Sequence, residues 1–102
     1  MPKLHELAKL IRSKNAGPFE LTIDIMFDND ESYQRVKKSK VISPELVSRL
    51  YHVSKDKFEI INFDEARVIK FTIPRPVPSG DFNDTDVYGG QQYGPLVDVE
   101  VP

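Results

Sequence analysis

At 102 residues, 39% of them hydrophobic, the chain is sized for one domain that buries roughly 60–65% of its unfolded surface and needs neither metal nor disulfide to fold. Its 14 basic and 16 acidic residues and pI near 5.6 leave no global positive field for phosphate backbones, so nucleic acid is not an expected partner. The absence of cysteine excludes thiol nucleophiles, zinc ribbons and disulfide frameworks. The opening Met1-Pro2-Lys3-Leu4-His5-Glu6 lacks a signal-peptide run and no segment approaches the ~20 apolar residues of a membrane span, so the expected location is cytoplasmic.

Leu4, Leu7, Ala8 and Ile11 recur at i, i+3, i+4 and i+7, the spacing of a short amphipathic helix over 4–12, although so short a segment also fits a strand. Arg12-Ser13-Lys14-Asn15-Ala16-Gly17-Pro18 then sets two cations and an amide beside a Gly-Pro breaker. It reads as an anion-holding turn, in which glycine lets backbone N–H groups approach a carboxylate or phosphate while Arg12 and Lys14 supply charge. Gly17-Pro18 also reads simply as turn punctuation. Leu21, Ile23, Ile25 and Phe27 alternate with Thr22, Asp24 and Met26, the period of a strand with one buried face.

Asp28-Asn29-Asp30-Glu31 places caps and negative charge where a helix dipole is positive, and Arg35, Lys37, Lys38 and Lys40 gather at the other end, which predicts a helix over 30–39. Ser43 as N-cap and Pro44 at the first position open a second helix, striped by Leu46, Val47, Leu50 and Tyr51 and ending near His52 or Val53. Phe58 to Phe63 and Ala66 to Ile73 are strand-like runs, and Asp64-Glu65 between them suits a tight hairpin. Pro74, Pro76 and Pro78 stop the sheet and open a long loop reaching to about Pro95. Leu96 to Val101, with Val97, Val99 and Val101 alternating against Asp98 and Glu100, reads as a terminal strand. The simplest assembly is an antiparallel or mixed sheet with both helices on one face. Asp24, Lys70 and Thr72 then point to the other face, where Met26 and Val68 suggest partial cover and a docking surface.

Few constellations carry chemistry. His5 and His52 lie far apart, in no metal-ligand spacing, and no metal site is expected; Asp28, Asp30 and Glu31 are explained by helix capping. Asp84-Thr85-Asp86-Val87-Tyr88-Gly89-Gly90-Gln91-Gln92-Tyr93 combines acceptors, amides and phenols around a glycine pivot and is able to read polar groups. The prolines around Arg75 hold that side chain in a defined direction, either to clamp an acidic group or merely to guard a sheet edge. No nucleophile–base pair, phosphate loop or zinc pattern occurs, so a self-contained active site is not expected.

Leu4-His5-Glu6-Leu7-Ala8, Arg12 to Ile25, Lys70-Phe71-Thr72-Ile73-Pro74-Arg75-Pro76 and Asp84-Thr85-Asp86-Val87-Tyr88-Gly89 together resemble a small uncharacterised bacterial and archaeal family across the whole chain. That family is similar in layout to the C-terminal small domain of acyclic terpene utilisation (AtuA-like) proteins and is encoded beside a large AtuA-like protein lacking that domain. In the AtuA-like domain an Arg-Ser-Gly-Asp-Lys-Gly loop and an Asn-Ile strand hold the place of Arg12 to Gly17 and Leu21-Thr22-Ile23. Arg12, Ser13 and Gly17 match, Lys14 and Asn15 are shifted by a position, and the loop's Asp has no counterpart, so no acid–base role carries over.

The resemblance implies a single AtuA-like small domain over 1–102, of α+β class and ferredoxin-like, a mostly antiparallel sheet with two helices on one face, in which residues 6–12 form an edge strand. It further implies a small subunit that docks on a large AtuA-like protein, within a two-component enzyme of lyase, hydratase or isomerase class. The expected ligand is a carboxylic acid or its coenzyme A thioester, held by Arg12, Ser13, Lys14, Asn15, Gly17 and Arg75, with Asp86, Tyr88, Gln91 and Tyr93 in a pocket or partner loop. No cofactor of its own is expected. The alternative is a free-standing homo-oligomeric module that binds a small acid.

Overall fold

The computed structural model describes residues 1–17, 19–74 and 94–102. In chain order these form α1 (Leu4–Leu7), β1 (Leu10–Asn15), β2 (Glu20–Met26), α2 (Asp30–Ser39), α3 (Pro44–Tyr51), a 3-10 turn at Lys55–Lys57, β3 (Ile60–Phe63), β4 (Val68–Pro74) and α4 (Gly94–Val97). The four strands make one antiparallel sheet in the order β1-β2-β4-β3. It is an α+β domain, compatible with a ferredoxin-like fold, with both longer helices in the β2–β3 connection.

The helices begin and end where their capping chemistry dictates. Asn29 accepts from the Ser32 N–H at 2.8 Å and Ser43 Oγ accepts from the Leu46 N–H at 3.1 Å, each satisfying a donor the first helical turn leaves open. Lys40 and His52 close α2 and α3 in the left-handed conformation, both with φ 57°. Tyr33 and Val36 from α2 and Val47 and Tyr51 from α3 pack on Ile11, Ile23, Ile25, Ile69 and Phe71 in one core. Both helices therefore cover the same sheet face. Phe71 is the aromatic centre of that contact, edge-on to Tyr51 with ring centroids 6.1 Å apart.

Three segments differ from the sequence expectations. Residues 4–12 divide between helix and strand: α1 stops at Leu7 and β1 starts at Leu10, because an antiparallel partner for Leu10 onward exists in β2. The β3–β4 turn occupies Asp64 to Arg67, with Arg67 at φ 54° and its N–H on the Asp64 carbonyl at 3.3 Å. Asp64-Glu65 is not a two-residue hairpin, since the type I′ and II′ turns that close one need positive φ at both or at the first of the two residues, a place for Gly or Asn. The expected terminal strand is instead the single turn α4 followed by one antiparallel bridge, Glu100 to Lys3. Leu96 and Val101, not the alternating Val97 and Val99, are fully buried there, and the Leu4 N–H donates to the Val99 carbonyl at 2.7 Å.

Among the described residues no helix is long and apolar enough to cross a membrane.

Candidate functional site

The sheet face opposite the helices carries the site. Antiparallel partners share a face, and the register lays three rows across it. Leu10, Met26, Val68 and Phe63 form an apolar row; Arg12, Asp24, Lys70 and Ile61 form the next; Lys14, Thr22 and Thr72 form the third. Phe63 remains 45% exposed and Leu10 and Ile61 each 47%, so this face offers greasy surface directly beside its charges.

Strand alternation distributes the residues of the Arg12–Gly17 segment. Successive side chains on a strand point to opposite faces. Arg12 and Lys14 stand on the open face, whereas Ser13 is buried on the helix-covered side and Asn15 is half-buried at the strand end. Gly17 sits in the turn joining β1 to β2 at φ 116°, a conformation L side chains rarely adopt, with open space where a Cβ would lie. Its role is conformational: it turns the chain so that the Ala16 N–H meets the Glu20 carbonyl at 3.0 Å. Arg75, Asp86, Tyr88, Gln91 and Tyr93 lie outside the described residues.

The centre of the open face is Asp24. It is only 4% exposed although it lies on the face away from the helices. Arg12 Nε donates to its Oδ2 at 3.1 Å, while among the described residues Oδ1 has no hydrogen-bond partner. Lys70 is its register partner on β4, and among the described residues its ammonium enters no ion pair. Arg12, Asp24, Lys70, Met26, Phe63 and Val68 line a pocket of about 210 Å³. Below it, the hydroxyls of Thr22 and Thr72 bond each other at 2.9 Å. The alternation of β2 places Asp24 on this face, and the strand register sets Arg12 of β1 and Lys70 of β4 on either side of it.

A second polar group sits where α2 meets the β3–β4 turn. Lys37 Nζ lies 2.8 Å from Asp64 Oδ1, and the Tyr33 hydroxyl donates to the same oxygen. The Lys37 bond, then the Tyr33 bond, hold the Asp64 carboxyl below its ordinary range. Burial, followed by the Asp64 hydrogen bond, pushes the Tyr33 phenol up to about 12. A cavity of about 740 Å³ beside it is lined by Lys37, Lys40, Ile42, Glu45, Asn62 and Ile69. Of its polar lining, Lys37 is committed to Asp64 and Ser43 to the α3 cap. His5 and His52 are both exposed, and among the described residues no group of side chains is arranged to hold a metal ion.

No curated protein and no solved structure matches the chain. A family model described as domain of unknown function (DUF4387) matches residues 4–100, nearly the whole length, and the chain belongs to that family.

Proposed function

We propose that this chain is the small subunit of a two-component assembly, docking through its open sheet face on a large AtuA-like protein and presenting a carboxylate site at the junction. The observation that carries the reading is the juxtaposition, on one face, of an apolar row (Leu10, Met26, Val68, Phe63) whose two ends, Leu10 and Phe63, are exposed, with a row of mixed charge (Arg12, Asp24, Lys70). Interfaces bury an apolar centre behind a polar rim, and small-molecule sites pair apolar walls with a few convergent polar groups. In the pocket at Asp24, Arg12 and Lys70 supply two cations against one buried carboxylate, which favours an acid or the acyl end of its coenzyme A thioester. The identity of the partner, and a reaction of hydratase, lyase or isomerase class carried by the assembly, come from the resemblance to the AtuA-like small domain. A cytoplasmic location belongs to the same reading.

Size-exclusion of the chain mixed with a large AtuA-like protein of the kind the resemblance implies tests the docking. Co-elution is expected, and Phe63→Asp should abolish it while the far-side variant Lys38→Asp should not. Separate elution of the two proteins, or Phe63→Asp co-eluting like the parent, refutes the docking face.

A further inference from the structure

The unpartnered oxygen of Asp24 narrows the ligand further. A carboxylate oxygen taken out of water without a donor is costly, and native folds rarely leave one so. Asp24 is a charged side chain on a central strand, 4% exposed, with one oxygen on Arg12 and the other lacking a partner among the described residues. Both Arg12 and Lys70 line the same pocket of about 210 Å³. Two cations and one carboxylate leave this group with a single positive charge.

We infer that the pocket takes a hydroxy-substituted monocarboxylic acid, whose hydroxyl donates to Asp24 Oδ1 while its carboxylate pairs with the Lys70 ammonium. This rests on the reading of the face as a carboxylate site. A monoanion cancels the residual charge, whereas a zwitterionic amino acid leaves it in place. A keto acid or an unsubstituted acid brings no donor for Oδ1. Met26, Val68 and Phe63 receive the alkyl part. Lys70 lies on a flexible four-carbon stem, so it turns outward with the acid's carboxylate as the hydroxyl reaches the buried oxygen.

The test is an NMR titration of the full chain with 3-methylbutyrate, its 2-hydroxy and 3-hydroxy derivatives, and 2-oxo-3-methylbutyrate. A hydrogen bond to a charged group predicts that one of the hydroxy acids binds about tenfold or more tighter than the unsubstituted and oxo acids. In Asp24→Asn the amide oxygen takes the Arg12 bond and the NH2 faces the pocket, so the preference for hydroxyl over oxo should fall to within about threefold. Lys70→Met, at a half-buried position, should weaken every acid while preserving their order, which keeps the inference testable if Asp24→Asn does not fold. Equal affinity for hydroxy and unsubstituted acids overturns the hydroxyl inference and leaves the carboxylate site standing. No binding of any acid, by the chain alone or by its co-eluting assembly, overturns both. A hydroxyl preference that survives in Asp24→Asn puts the contact elsewhere and also overturns the inference.

Discussion

Replacing Arg12 with alanine removes the guanidinium that holds Asp24 Oδ2 at 3.1 Å and strands a carboxylate that is 4% exposed. Breaking a buried ion pair by deleting one partner costs about 3–5 kcal/mol, because the remaining charge stays desolvated. The Arg12 side chain is itself 53% exposed, so the pair lies partly in water, and solvent screening reduces the expected loss to about 2 kcal/mol. For a domain of this size that corresponds to a melting temperature lower by about 8–16 °C. Asp24→Asn retains an oxygen for Arg12 while removing the charge, and should cost under about 1 kcal/mol. The double variant Arg12→Ala/Asp24→Asn should then be more stable than Arg12→Ala alone, a coupling that urea unfolding of the four proteins measures directly. Arg12→Ala within about 0.5 kcal/mol of the parent, or a double variant whose losses simply add, refutes the idea that Asp24 depends on Arg12. Loss of ligand binding in Arg12→Ala would be confounded by this instability, which is why Lys70 is the cleaner probe of the carboxylate.

Ser43→Ala removes the acceptor for the Leu46 N–H and should lower stability by about 1 kcal/mol in urea unfolding, without altering the open face. Lys37→Met should raise the Asp64 carboxyl towards its ordinary range in an NMR pH titration, and by more than Tyr33→Phe does, since the Lys37 bond is the larger of the two causes. Because the folded state holds Asp64 below its unfolded range, the stability this contributes is present above the ordinary carboxylate pKa and is lost as pH falls through the lowered one. The gap between parent and Lys37→Met should therefore narrow in acid.

Much of the architecture is local and therefore written in short stretches of chain. Asn29 before Asp30 and Glu31, and Ser43 before Pro44, mark helix starts through donors and acceptors three residues apart. The period-2 run from Leu21 to Phe27 likewise marks β2. That alternation was enough to turn Asp24, Lys70 and Thr72 away from the helices. The same logic misled at the C-terminus, where Val97, Val99 and Val101 alternate but the segment follows Gly94-Pro95 and, among the described residues, forms a single bridge, Glu100 with Lys3.

The chain order of residues also could not divide Arg12 and Lys14 from Ser13 and Asn15, because a cluster drawn as a turn keeps neighbours together whereas a strand sends them to opposite faces. Nor could it reveal that Asp24 is the buried centre of the open face. Arg12 is brought to Asp24 by the β1–β2 register and Lys70 by the β2–β4 register. Capping and periodicity act over one turn or two residues and belong to the sequence itself; cross-strand apposition acts between distant segments and arises only when the sheet closes.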